Sequence, residues 1–164
     1  MSQALATTGG HELDAHAGEN LENFVTFIIK DQMFGIPVLQ VQDILTPNNI
    51  ASIPLAPPEV KGSINLRGRI VTVIDVRVRL GLKKREGNHQ NMGVTIEHRH
   101  ELYTLLVDQV GDVIGLENHL YENNPSTLDP LWREFASGVY RLEGKLMVVL
   151  DVERLLDMVR EEHS

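Results

Sequence analysis

The chain states one local pattern twice, and that repetition restricts the folds open to it. Residues 67–80 read Arg-Gly-Arg-Ile-Val-Thr-Val-Ile-Asp-Val-Arg-Val-Arg-Leu, and residues 143–156 read Glu-Gly-Lys-Leu-Met-Val-Val-Leu-Asp-Val-Glu-Arg-Leu-Leu. Gly68 matches Gly144, Arg69 matches Lys145, Val73 matches Val149 and Asp75 matches Asp151. An echo at fixed offset points to two similar halves. In each copy the glycine permits a tight turn, the β-branched run forms a buried strand, and the aspartate caps a helix that opens at the following valine.

With 164 residues, 42% of them apolar, the chain can form one ordinary domain or two small subdomains that share cores. Two barrels of roughly 60 residues each are marginal alone and must lean on each other. The absence of cysteine excludes disulfides, a thiol nucleophile and thiolate metal sites, and suits a reducing cytoplasm. No basic region followed by an apolar segment opens the sequence, and no apolar run approaches the ~18 residues of a membrane span. The expectation is a cytoplasmic protein with no direct membrane insertion.

The net charge of -8 is unevenly spread. Residues 1–23 carry Glu12, Asp14, Glu19 and Glu22 without a Lys or Arg, and 1–21 read as a disordered acidic tail. Between Lys61 and Arg85 the sign reverses: Lys61, Arg67, Arg69, Arg77, Arg79, Lys83, Lys84 and Arg85 face only Asp75. For Arg77, Arg79, Lys83, Lys84 and Arg85 a solvated helix face is the expectation.

Strands are expected at 24–30 and 33–37 around a turn at Asp31-Gln32, while 38–44 fits either a helical turn or an extended strand. One helical turn is expected at 58–61, with Gly62 as its left-handed stop. Strands at 63–66 and 70–74 flank Arg67-Gly68-Arg69, and a helix follows over 75–82. The second half is expected to hold strands at 92–97, 102–108 and 110–116, the last two joined tightly around Gln109. A helical turn at 131–135, a hairpin over 138–150 and a terminal helix over 151–161 complete it. Many short strands and few helices indicate a mainly β fold of small closed barrels.

Chemistry is sparse. Two repeated aspartates could form an acid-protease dyad, but such residues sit in exposed glycine-rich turns, whereas Asp75 and Asp151 are each followed by a helical pattern. His98 and His100 would share a strand face at a spacing metals use, yet no third ligand stands nearby, and a solvent-facing hairpin end is the simpler reading. The phosphate-loop, Gly-x-Ser-x-Gly and His-Glu-x-x-His motifs are absent. Neither an enzyme, a metal nor a cofactor is therefore expected. The alternative of a small nucleic-acid-binding barrel rests on the basic stretch, which contains no aromatic stacking platform. Arg67 differs from the other cations because a tight glycine turn fixes its direction beside Asn65 and Leu66, a mixed surface of the kind used in protein interfaces.

The ordered set of motifs resembles the CheW family of chemotaxis coupling proteins. It comprises Phe34-Gly35-Ile36, Val41-Gln42-Asp43-Ile44, Ile53-Pro54, Pro57-Pro58-Glu59-Val60-Lys61-Gly62, Ile64-Asn65-Leu66-Arg67-Gly68, Val73-Ile74-Asp75-Val76-Arg77, Val107-Asp108-Gln109-Val110-Gly111-Asp112-Val113 and Leu150-Asp151-Val152-Glu153-Arg154-Leu155-Leu156. Asp43 and Thr72 stand where the family usually has Glu and Pro. The resemblance implies a single domain over 22–162, made of two SH3-like five-stranded barrels (about 22–82 and 90–162) packed through a third core, with strands or the terminal helix open to exchange between them. It implies a non-catalytic scaffold between the cytoplasmic tips of methyl-accepting chemoreceptors and the regulatory domain of the histidine kinase CheA, recruited to receptor arrays at the inner membrane. Receptor binding is implied for Val41, Gly62 and Arg67, with Asn65, Leu66 and Gly68 beside Arg67; kinase contact is implied for Asp43 and Ile44.

As N-caps, Asp75 and Asp151 should each lose ~1 kcal/mol of stability on replacement by Ala. Thermal melts of Asp75→Ala and Asp151→Ala test this; an unchanged midpoint in either removes that cap.

Overall fold

The structure is a computed structural model that describes residues 20–83 and 91–163, with the side chains of 158–163 left aside. The expected tail therefore lies, apart from its last two residues, outside the described residues, as does most of the stretch between the barrels expected at 22–82 and 90–162. The elements are β1 (Leu21–Ile29), β2 (Gln32–Pro37), β3 (Val41–Leu45), β4 (Val60–Leu66), β5 (Arg69–Asp75), α1 (Val76–Arg79), β6 (Met92–His98), β7 (Glu101–Val107), β8 (Gln109–Glu117), β9 (Tyr121–Glu122), α2 (Pro130–Arg133), β10 (Ala136–Leu142), β11 (Lys145–Leu150) and α3 (Val152–His163). A 3₁₀ turn at Val38–Gln40 precedes β3, so the ambiguous segment is first helical and then extended.

These strands form two sheets, ordered β8-β1-β2-β11-β10-β9 and β3-β6-β7-β5-β4. Sheet membership cuts across the sequence division between 22–82 and 90–162. The β1–β2 hairpin of the first half joins β8, β10 and β11 of the second, while the β6–β7 hairpin of the second half joins β3, β4 and β5 of the first. The exchange is reciprocal. Each exchanged hairpin meets the other half on both sides, through one antiparallel pair (β1 with β8, β6 with β3) and one parallel pair (β2 with β11, β7 with β5), against antiparallel pairing elsewhere. The expected tight pairing of 102–108 with 110–116 is thereby corrected, because β7 and β8 lie in different sheets and Asp108 alone separates them.

The repeated segments are equivalent joints. Asp75 N donates to Glu59 O at 2.7 Å and Asp151 N donates to Phe135 O at 2.6 Å. Their carboxylates accept from Val78 N and Arg154 N at 3.4 and 3.2 Å, the N-cap geometry in both copies. A β-bulge falls at the same place in each, between Val60 and Gly62 and between Ala136 and Gly138. Gly62 is thus a strand glycine and not the stop of a helix. Helix α1 spans only four residues, shorter than the expected 75–82.

Among the described residues burial falls into three apolar clusters. Phe24, Tyr140, Met147 and Val149 pack against one face of the six-stranded sheet, and Ile64, Val71, Val73 and Leu106 against one face of the five-stranded sheet. The largest cluster draws on both sheets, including Phe27, Phe34, Ile74, Leu105, Val148 and Leu155. Alternation along β11 shows how one strand serves two cores: Met147 and Val149 face the first cluster while Val148 and Leu150 face the shared one. Strands buried on both faces read as continuous apolar runs, as these do.

Polar links cross the same junction. Asp108 accepts from Lys30 N at 2.9 Å and from Arg77 Nε at 3.0 Å, tying the β1–β2 turn to α1. Arg79 lies 3.9 Å from Glu59 and stacks over Phe135 with its guanidinium carbon 5.0 Å from the ring centroid. Arg77 and Arg79 are therefore structural, not a solvated face: their side chains keep 17% and 9% of their exposure. Charges held this close to apolar surroundings persist because carboxylates meet them. Asp108→Ala leaves Arg77 buried without that partner and should cost about 3–5 kcal/mol in urea unfolding. A loss below about 1 kcal/mol, the size of a surface pair, would show that the junction does not depend on it.

Candidate protein-interaction surface

In the five-stranded sheet β3 and β4 are opposite edges, which a flat sheet would hold four strand spacings, or roughly 19 Å, apart. The sheet instead curls until they meet. Ala51, downstream of β3, exchanges backbone hydrogen bonds with Ser63 on β4 at 2.9 and 2.8 Å. Arg67, at the tip of the β4–β5 hairpin, places Nη2 2.9 Å from Asp43 Oδ2 on β3.

Gly62 makes this closure available. Its φ is +152°, and a Cβ there would lie 2.1 Å from the Ala51 carbonyl oxygen. The six-stranded sheet closes the same way, since a Cβ on Gly138 would lie 2.6 Å from Glu122 O, on the short β9 that pairs with β10. Gly62 and Gly138 belong to the repeat as surely as Gly68 and Gly144, a signal available in the sequence that the strand-end comparison missed.

The hairpin tips of the two copies differ. Leu66 pairs with Arg69 across Arg67 and Gly68, whose φ values are 52° and 84°, the doubly left-handed loop of a type I′ turn. In the second copy Gly144 has φ 76° while Glu143 stays out of the left-handed region. Asn65 Oδ1 accepts from Gly68 N at 3.0 Å and holds the turn. Placing a non-glycine residue in left-handed backbone costs about 1–2 kcal/mol. The ion pair returns about 0–1 kcal/mol, because Arg67 is 76% exposed. Stability therefore does not account for an arginine at this position.

Of the residues expected to bind, Asp43, Asn65, Arg67 and Gly68 are joined in one network. Ile44 lies beside Asp43 and is exposed, as is Ile70, the partner of Asn65 across the hairpin. Leu66 is half-buried against the core of this sheet, Val41 is half-buried against the shared core, and Gly62 is buried. The sets expected for two different partners thus meet at a single ion pair.

The cleft where the sheets adjoin is lined by other residues. A cavity of about 420 Å³ opens between Pro37, Gln40, His98, Ser137, Asp151 and their neighbours. His98 is buried there, its Nε2 3.0 Å from Asp157 Oδ1 on α3, and Arg99 Nη2 reaches the other oxygen at 3.3 Å. The two histidines do not share a strand face, because the chain turns at Arg99 and His100, with φ 52° and 69°. Asp75 and Asp151 are each engaged by their own helix. Among the described basic residues of 61–83, Arg67, Arg77 and Arg79 have carboxylate partners, which offsets part of the positive field inferred from the sequence.

A family model described as CheW-like domain matches residues 23–160. The chain belongs to the CheW-like family. Curated relatives include the probable chemotaxis protein CheW of Rhizobium etli, 27% identical over 84% of this chain and 89% of that protein, and the chemotaxis protein CheW of Helicobacter pylori, 26% identical over 95% and 98%. Among solved structures, the scaffolding protein TtCheW from Thermoanaerobacter tengcongensis superposes with a TM-score of 0.71 at 27% identity, covering 79% of this chain and 88% of that one. The mainly β architecture with few short helices and the CheW-like adaptor character expected from the motifs are thus those of the family, with six strands in one sheet and five in the other where two five-stranded barrels were expected.

Gly62→Ala forces a Cβ into main-chain atoms and should destabilise by at least the 1–3 kcal/mol of an overpacked site. Arg67→Gly, which fits the same turn without strain, should hold or gain up to about 1 kcal/mol. Chemical denaturation of both variants checks the contrast; equal losses would contradict it.

Proposed function

We propose that this chain is a non-catalytic chemotaxis scaffold that couples chemoreceptor cytoplasmic tips to the histidine kinase CheA and supports assembly of the signalling array. The observation that carries this reading is Arg67: exposed, aimed by a strained turn, and of no net benefit to stability. Binding gives such a residue its use. The receptor surface comprises Arg67 and Gly68 with Asn65 and Leu66, extended toward Val41; Gly62 serves it by closing the sheet. The kinase surface begins at Asp43 and Ile44 on β3. Since Asp43 is the carboxylate that holds Arg67, either partner can alter the side chain seen by the other, which gives the scaffold a physical means to transmit as well as to hold. A signal passes only if the receptor's states bind the bridge unequally.

Several arrangements support a role without turnover. The repeated aspartates act as helix caps, and the buried His98 is engaged by Asp157. The protein would work in the cytoplasm, recruited to receptor arrays at the inner membrane.

Co-sedimentation of the full chain with a receptor cytoplasmic fragment and CheA tests the reading. Arg67→Ala and Arg67→Gly should both reduce recovery with receptor by roughly tenfold in affinity while thermal midpoints stay near wild type. Wild-type recovery in both would remove Arg67 from the receptor surface. Absence of either partner from the pellet of the unmodified chain would overturn the coupling function.

A further inference from the structure

The apolar cluster of Phe24, Tyr140 and Val149 on the six-stranded sheet borders a second feature, away from the Arg67–Asp43 edge. Phe24 on β1, Tyr121 on β9 and Tyr140 on β10 line a cavity of about 320 Å³ with Pro37, Ser137 and Val149. The rings of Phe24 and Tyr121 each meet Tyr140 edge-on, at centroid separations of 5.4 and 5.5 Å. This apolar cavity shares Pro37, Ser137 and Val149 with the 420 Å³ cleft, so the two adjoin as one groove along the end of β2 and the β10 bulge. Leu120 and Tyr121 stay half exposed at its aromatic end.

Apart from His98 and the two tyrosines, the ionisable side chains at the ends of this groove are acidic. Glu22 stands at the aromatic end, and Glu97, Asp151 and Glu153 at the other. Asp151 is engaged by Arg154, at 3.6 Å, and by its own helix. Among the described residues Glu22, Glu97 and Glu153 have no ion-pair partner, and neither cavity has a Lys or Arg in its lining. The field of Glu22 reaches the aromatic wall: burial first, then the Glu22 carboxylate, then Tyr121 raise the Tyr140 phenol above its ordinary value.

We propose that this groove docks a polypeptide segment of a partner protein that carries basic side chains, one of them seated among the aromatic rings beside Glu22. Aromatic walls with a carboxylate at the rim suit a Lys or Arg side chain, whose methylenes pack on the rings while its cation meets both ring faces and acid. Glu97 and Glu153 receive a second cation further along the segment. Residues 1–23 of this chain contain no Lys or Arg and carry four acids, so they do not supply the cations that such a groove selects. Nucleic acid is repelled by the same carboxylates.

The test measures fluorescence anisotropy of a labelled synthetic peptide of repeating Ala-Lys-Leu against the full-length chain, with an otherwise identical peptide carrying Gln for every Lys. The lysine peptide should bind, increasingly weakly as salt is raised, and the glutamine peptide should not. Glu22→Gln with Glu97→Gln and Glu153→Gln should weaken binding at least about tenfold, Tyr121→Leu should weaken it alone, and Arg67→Ala should leave it unchanged. Binding of both peptides alike, no binding to the unmodified chain, or full binding by the triple variant would overturn the proposal. Loss of binding in Arg67→Ala would move the peptide to the other surface and overturn it equally. Should the triple variant melt early, the salt series on the unmodified chain decides, since salt-independent binding is incompatible with acidic recognition. None of these outcomes depends on receptor or kinase.

Discussion

A single residue carries the backbone from one sheet to the other between β7 and β8, and that residue is Asp108. Its carboxylate receives an amide of the β1–β2 turn and the guanidinium of Arg77, so three separate stretches of chain converge on two oxygens. An acid in this place is costly to bury alone and becomes favourable only when both donors arrive. Formation of the junction is consequently coupled to the arrival of both donors. Around it the shared core adds a nondirectional attraction that would, by itself, tolerate many relative placements of the sheets.

The repeat and the exchange belong to the same design. Each half supplies a hairpin to one sheet and its remaining strands, three from the first half and four from the second, to the other, with matching bulges, closing glycines and capping aspartates. Against this near-symmetry the departures stand out. The arginine at the first hairpin tip has Glu143 as its counterpart, and the counterpart of Asn65 is Arg141, which reaches Glu122 at 3.0 Å. The two sheets are thus alike in backbone and unlike in charge, which lets one small protein present distinct surfaces.

Much of this was legible locally. The Gly-strand-Asp segments gave both hairpins and both caps, because turn and cap chemistry depend on residues within one turn of each other. Sheet membership was not legible: a strand such as β11, apolar on both faces, says that it is buried without saying beside which neighbour. The turns at Lys30–Asp31 and Arg99–His100 adopt left-handed backbone with no glycine to announce it. The burial of Arg77 and Arg79 depends on Asp108 and Glu59, distant partners that composition could not pair with them. At the candidate surface the motif located Arg67, but its contact with Asp43 follows from the curl of the sheet, a long-range property. The aromatic groove escaped notice because Phe24, Tyr121 and Tyr140 come from three strands scattered through the chain.

The reciprocal sharing of hairpins also governs the order in which the protein can be made. When β1 and β2 leave the ribosome, their sheet partners β8, β10 and β11 are still untranslated, and the chain must carry an unpaired hairpin past its midpoint. Completion of the five-stranded sheet waits for β7, and completion of the other waits for β11 near the C-terminus. Pairings so distant in sequence close slowly. Neither half can mature as an independent module, so truncation at the midpoint yields two incomplete sheets in place of one finished barrel.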